Sequence, residues 1–314
     1  MKQNQTIITY FIIKGISDVP QLQALIFVLV LIIYLTVLVG NMSLLLLVCL
    51  DSHLHTPMYF FLANLSIVDM TSSTVTLHKI LLTFITGDNT VVYLACLVQS
   101  YMFGSLSGHG LFILTAMSYD RYVAICRPLN YNIIMNIRIC LLLASFCWIF
   151  GFIQVVPYVW MLSKISCYSS IVVDHFCCDL AAFMDMACSD ITILESLTII
   201  QGMIIYIIIP FFLTFISYAF IIKTILKIRS NIGRRKAFYT CSSHLTVIVL
   251  LYTTLTLQYA IPTHLLGSKK LFSLFNTTIV PVLNPLIYSL KNKDVKAAFT
   301  RKFGSWKVGT FAVT

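Results

Sequence analysis

Seven apolar stretches, separated by short polar runs, account for most of the chain. They cover residues 22–50, 57–82, 91–121, 139–162, 197–226, 237–261 and 271–290. A hydrocarbon layer of about 30 Å takes roughly 20 apolar residues in a helix, and these stretches meet or approach that length. The pattern predicts an all-α integral membrane protein, a seven-transmembrane helix bundle. Residues 1–21 form a tail before the first span, 22–290 a single bundle domain, and 291–314 a second tail. A short amphipathic helix is expected after the seventh span. The first twenty residues hold Lys2, Lys14, Asp18 and Pro20 but no long apolar core with a small-residue cleavage site, so the first span is expected to act as its own signal.

Composition strengthens this reading. Hydrophobic residues make up 59% and charged residues 10% of the 314, where a soluble domain carries about 25% charged. Mean hydropathy is +0.92. The net charge of +10 could suggest nucleic acid; its distribution argues for topology instead. With the N-terminus outside, 15 of the 21 Lys and Arg residues fall on the cytoplasmic side, from Arg121, Arg127 and Arg138 through the 223–236 loop to the tail. That bias matches the positive-inside rule and gives those cations anionic lipid to meet.

One apolar stretch ends oddly. Met117-Ser118-Tyr119-Asp120-Arg121-Tyr122-Val123-Ala124-Ile125-Cys126 places an Asp-Arg pair where the third span closes. A charge at membrane depth costs about 2.5–3.5 kcal/mol on insertion scales, so such a pair is a functional candidate by default. Other motifs stand in order along the chain: Gly40-Asn41; 54–66 (LHTPMYFFLANLS) with Asp69 beyond it; Trp148; Ser217-Tyr218; 236–245 (KAFYTCSSHL); and 281–290 (PVLNPLIYSL). Pro285 removes a backbone donor and bends its helix. Asn284 is placed to make polar contacts at the break and Tyr288 to swing with it.

In this order and spacing, over roughly residues 20–303, the motifs resemble those of olfactory receptors, a branch of the rhodopsin-like (class A) G-protein-coupled receptors. The resemblance implies an odorant receptor in the plasma membrane of olfactory neurons. It implies a small volatile ligand, a stimulatory G protein that raises cAMP, no cofactor and no nucleic acid. Asp120, Arg121, Tyr122, Tyr218, Asn284, Pro285 and Tyr288 would form the switch, with Arg121 released from Asp120 on activation. The competing reading within the superfamily is a non-olfactory class A receptor for a lipid or metabolite.

Ten cysteines divide by side. Cys96, Cys167, Cys177, Cys178 and Cys188 fall outside, an odd number that arithmetic cannot pair. The resemblance implies Cys96–Cys178 and Cys167–Cys188. It also implies that Cys177, standing where the family usually has Phe, is free, and that departure puts the choice of Cys178 in question. The sequon at Asn4 is a candidate glycosylation site; those at Asn41, Asn64 and Asn276 lie inside spans, where they are read as chance. Receptors of this type hold sodium at the acid equivalent to Asp69. Gly110 stands where many olfactory receptors have Glu, and this counts against an ion there; no other metal site is expected. His109 beside it reads as a core residue.

Helical geometry places a binding wall. Positions 18 apart share a face, so Phe103 faces inward with Arg121, and Ser107, Gly104 and Gly108 lie near it. The facing walls would come from Gly202, Met203 and Tyr206, from Tyr252, Leu255, Thr256 and Tyr259, and from Leu274 and Thr277. A mostly apolar pocket with a few hydroxyls suits a small neutral molecule. A transporter would show repeats or a path of charges. An intramembrane enzyme would need a nucleophile–base pair, and Ser242, Ser243 and His244 have no convincing partner.

Overall fold

The computed structural model describes residues 9–17, 19–165, 167–260, 266–290 and 292–304. Among these, seven helical columns run side by side: α1 (Pro20–Leu50), α2 (Pro57–Thr86), α3 (Tyr93–Cys126), α4 (Ile137–Leu162), α5 (Thr192–Lys227), α6 (Asn231–Ala260) and α7 (Leu266–Leu290). α1, α2, α4, α5 and α7 are long and apolar enough to cross a membrane by length and composition. α3 is less apolar because it is the central helix, packed against α2, α4, α5 and α6. Helices that face protein can carry Ser, Gly and His where peripheral ones need Leu and Ile. The periphery shows the complement: Leu25, Val39, Leu142 and Phe215 are each more than half exposed. Such a surface requires an apolar solvent or a partner to cover it.

Prolines shape the columns. Pro157 cannot donate to the carbonyl four residues back, and α4 breaks at Gln154–Val155, between Ile137–Ile153 and Val156–Leu162. Pro210 follows a wide π-type turn over Gly202–Ile208 in α5. α7 carries Pro281 and Pro285, which leave the carbonyls of Thr277 and Pro281 without their helical donors. Both are satisfied from other helices. Ser73 Oγ donates to Thr277 O at 3.3 Å, and Asn41 Nδ2 donates to Pro281 O at 3.2 Å. Gly40 lets the first helix approach, since a Cβ there would lie 3.1 Å from the Pro285 ring.

The all-α architecture carries one small addition. Tyr10–Ile13, Thr90–Val92 and Val172–Val173 form a small sheet in the order β2-β1-β3, labelled by sequence. β1 runs antiparallel to β2 and parallel to β3. Phe11 and Ile13 are buried while Tyr10 is exposed, the two-residue alternation of a half-buried strand. Residues 10–13 of the first tail are thus part of the fold. At the opposite end α8 (Lys293–Phe303) follows α7, capped by Asn292, whose Oδ1 accepts from Asp294 N at 2.9 Å.

Candidate functional site

The two ends of the bundle are built differently. At one end Cys96, on the first turn of α3, is bonded to Cys178, and Cys167 to Cys188. Cys177 is a buried free thiol. The loop between α4 and α5 is thereby pinned over the bundle, and Gln99 Oε1 accepts from Cys178 N at 2.9 Å. Within this loop the His175 Nδ1 lies 3.5 Å from Cys177 Sγ, and its Nε2 lies 4.0 Å from Asp179. Burial lowers the His175 pKa, against the attraction of Asp179. Burial also pushes the Cys177 thiol well above its ordinary value. The thiol is therefore protonated and inert rather than a nucleophile.

Beneath the loop lies a cavity of about 180 Å³. Of the residues expected to line it, Phe103, Gly104, Ser107, Gly202, Tyr206, Leu255 and Thr277 do so. Others are elsewhere. Met203 and Thr256 are exposed on the outside of the bundle. Met203 is one residue, about 100° of helix, from Gly202, and the wide turn keeps Gly202 and Tyr206 inward at its expense. Tyr252 is buried below the cavity, edge-on to Phe211 at 5.7 Å. Leu274 is half-buried and away from the lining. Gly108 makes room for a neighbour: a Cβ there would collide with the amide of Gln154. The side chain of Tyr259 and the sequon at Asn4 lie outside the described residues.

That neighbour belongs to a polar network absent from the sequence-based expectation. Gln154 donates to Tyr206 OH at 2.7 Å, and Tyr206 OH approaches Gly104 O at 3.4 Å. Gln201 donates to Gln154 Oε1 at 3.1 Å and accepts from Tyr158. α3, α4 and α5 are joined by amide and phenol groups along one cavity wall. The opposite wall carries Asn276, which accepts from Thr254. The signal was present as two glutamines inside otherwise apolar stretches. A side chain that costs this much to bury marks an interior face.

The floor reaches Asp69, which accepts from Asn284 Nδ2 at 2.8 Å. Asn41 is engaged elsewhere, donating to Pro281 O. His109 is buried against Trp148, ring centroids 3.9 Å apart, and does not line the cavity. Among the described residues, no three His, Cys, Asp or Glu side chains are placed to hold a metal ion.

The other end of α3 carries Asp120-Arg121-Tyr122. The expected ion pair is not found: among the described residues none joins Asp120 to Arg121 within 4.0 Å. Asp120 accepts from Tyr131 OH at 2.8 Å instead. A helical side chain leans toward the N-terminus, so adjacent residues diverge, and Asp120 meets the short helix Tyr131–Ile134. Tyr218 OH is 2.7 Å from His244 Nδ1, joining α5 to α6. Tyr288 is buried nearby, and the Arg121 guanidinium is within electrostatic reach of Tyr218, His244 and Tyr288. Asp51, before α2, is bound by Arg301 of α8 at 2.6 Å and by His53. Burial alone would raise its pKa; the hydrogen bonds from Arg301 and His53 outweigh that and hold it at about 2.

Comparison with known proteins adds an independent line. A family model described as "Olfactory receptor" matches residues 6–305. Among curated proteins the chain is 41% identical to olfactory receptor 5B12 of Homo sapiens over 313 residues, 97% of this chain and 98% of that one. It is 42% identical to olfactory receptor 5AR1 of Mus musculus over 96% of this chain and 98% of that one. It is also 42% identical to olfactory receptor 6C1 of Homo sapiens, over 95% and 96% respectively.

Proposed function

The chain belongs to the olfactory receptor family of G-protein-coupled receptors, multi-pass membrane proteins and not enzymes, and from that premise we propose that it is a seven-span odorant receptor with its cystine end outside. A small, mostly apolar odorant enters the cavity under the pinned loop. Phe103, Leu255 and Val155 give it an apolar bed. Ser107, Tyr206, Asn276 and Thr277 offer hydrogen bonds to a hydroxyl or carbonyl group. The arrangement fits a neutral molecule better than an ammonium ion, because the two acids that line the cavity among the described residues are already engaged: Asp69, at its floor, accepts from Asn284, and Asp179, in the pinned loop, lies 4.0 Å from His175 Nε2.

The observation that carries this reading is the continuity of α3. The helix lines the cavity from Ser100 to Leu114 and carries Asp120-Arg121-Tyr122 about two turns further on, before its end at Cys126. An agonist that binds better to one arrangement of α3, α5 and α6 shifts the population toward it. On activation Tyr218 and His244 separate as the end of α6 moves outward, and Arg121 enters the opened cleft with a stimulatory G protein. cAMP then rises.

The test is a cAMP reporter in cells that express the receptor with its G protein, screened against a chemically diverse odorant panel. Tyr206→Phe should raise the half-maximal concentration of a responding odorant about tenfold, the equivalent of about 1.4 kcal/mol. Arg121→Ala should abolish the response at unchanged surface expression; a preserved response would refute the switch.

A further inference from the structure

The hydroxyl groups on the wall of the odorant cavity are unequally committed. Ser107 Oγ donates to Phe103 O at 2.8 Å, Thr198 Oγ1 to Leu194 O at 2.7 Å and Thr277 Oγ1 to Ser273 O at 2.9 Å, each within its own helix. Tyr206 and Asn276 are held in the networks with Gln154 and Thr254. Two lining hydroxyls differ. The side chains of Ser72 in α2 and Ser100 in α3 make no hydrogen bond among the described residues. Ser100 is 5% exposed, so its proton is carried into the bundle without a protein acceptor.

The fold brings these two serines together. Gln99 Nε2 donates to Val75 O at 2.6 Å, which ties α3 to α2 at that level. Ser100 follows Gln99 directly, and Ser72 lies within one turn of Val75. Both line one cavity, and each brings an unspent donor. A buried donor left without an acceptor carries the full cost of its lost water; a ligand oxygen removes that cost. The walls supplied by α4 and α6 are largely apolar, with Val155, Val159, Leu251 and Leu255. A carbonyl oxygen has two lone pairs for two donors and brings no proton that needs an acceptor of its own. A hydroxyl group does bring one.

The geometry points to Ser72 and Ser100 as a specificity-determining pair, donors to the carbonyl oxygen of a ketone or aldehyde odorant whose chain lies toward Leu251 and Leu255. The inference deepens the odorant reading of this cavity and rests on it. It places the ligand head on α2 and α3, apart from the wall formed by Tyr206 and Gln154. Donors of this kind reject an analogue that lacks the oxygen far more strongly than an apolar pocket rejects one methylene group. Neither hydroxyl bonds the protein, so its removal takes no internal hydrogen bond from the fold.

The test uses the full-length receptor in nanodiscs and photoprobes of one shape, with labelled peptides read by mass spectrometry. The probes are methyl hexyl ketone with a diazirine near the end of its hexyl chain, the matching secondary alcohol, and the matching alkene in which a methylene group replaces the oxygen. The ketone should label the α6 peptide that holds Leu251 and Leu255, and should label it more strongly than the alcohol or the alkene. Ser72→Ala and Ser100→Ala should each weaken ketone labelling about fivefold, the effect of one ordinary hydrogen bond. Both should leave alkene labelling unchanged, which reports an intact cavity. In the double variant the ketone and the alkene should label alike. Ketone labelling in the cavity that neither variant weakens, or that the alcohol equals, would overturn the carbonyl assignment and leave the odorant reading standing. Ketone labelling outside the cavity, or none at all, would overturn both.

Discussion

The cystine end and the Arg121 end of the bundle solve the same problem, holding seven helices together, with different chemistry. At the cystine end, residues far apart in sequence are tied by two disulfides, by a sheet that joins Tyr10–Ile13 to Thr90–Val92 and Val172–Val173, and by a core in which Phe11 packs edge-on against Tyr168 and Phe183. At the Arg121 end, aliphatic packing of Leu44, Leu62, Ile113 and Ile221 is supplemented by single contacts: Asp120 with Tyr131, Tyr218 with His244, Asp51 with Arg301. Covalent and strand links do not rearrange on the timescale of signalling. Single hydrogen bonds between helices do. A receptor that keeps its ligand site in shape while its opposite end opens needs this asymmetry.

The comparison can be broken most severely at the cystine. Cys96→Ser frees a closure of 82 residues, and removing such a bond should cost about 4–5 kcal/mol on loop-closure entropy. The receptor should lose most surface expression. Cys188→Ser opens a closure of 21 residues and should cost less, about 3 kcal/mol. Melting of the purified variants in detergent gives the order, and the reverse order would contradict the loop argument.

Next in size are the proline-freed carbonyls in α7. Asn41→Ala leaves Pro281 O without a donor, a loss of about 1–3 kcal/mol for a buried group. Ser73→Ala does the same to Thr277 O across a longer bond and should cost less. A melting series with both singles and the double checks this, and the two losses should add nearly independently.

A smaller effect is expected from the pinned loop with pH. His175 is held neutral by burial, against Asp179 and Asp174 and alongside Lys270. Its folded pKa is therefore below its ordinary value of 6.5. The unfolded loop then binds more protons than the folded one as pH drops through 6.5, and stability falls with pH. Labelling of the buried Cys177 thiol by a maleimide, divided at each pH by the rate for a free cysteine peptide so that the falling thiolate fraction cancels, should speed up from pH 7.5 to 5.5. His175→Gln should remove that dependence.

The smallest effect belongs to Asp51. Its contribution is present above the ordinary carboxylate pKa and is lost only as pH approaches the folded value of about 2. Asp51→Asn should lower the melting temperature modestly and by the same amount at pH 5 and pH 8. Arg301→Gln should add little to it, since both remove one contact.

The interior residues were unequally legible. Asp120-Arg121 announced itself by the cost of charge in an apolar stretch, and Phe103 followed from an 18-residue period. Gln154 and Gln201 carried the same kind of signal, yet their mutual bond depends on a break at Pro157 and a wide turn before Pro210, whose rotations no helical wheel supplies. Met203 was misplaced for the same reason, and Thr256 because it stands one residue, about 100° of helix, from the inward-facing Leu255. Tyr10–Ile13 is too short a pattern to read as a strand without the partners it adds to. Asp120 was expected beside Arg121 because they are neighbours in sequence; on a helix, neighbours in sequence point apart, and Tyr131 was the nearer donor.

The sequence by itself determined the helical class, the order and approximate bounds of the apolar stretches, the family, and the facing of α3. These depend on local terms, the cost of polar groups in lipid and the 3.6-residue period, which add along the chain. Only the tertiary structure decided which amides meet across α3, α4 and α5 and which helices satisfy the carbonyls left open by Pro281 and Pro285. These depend on distances between segments up to 240 residues apart, fixed by packing to tenths of an ångström.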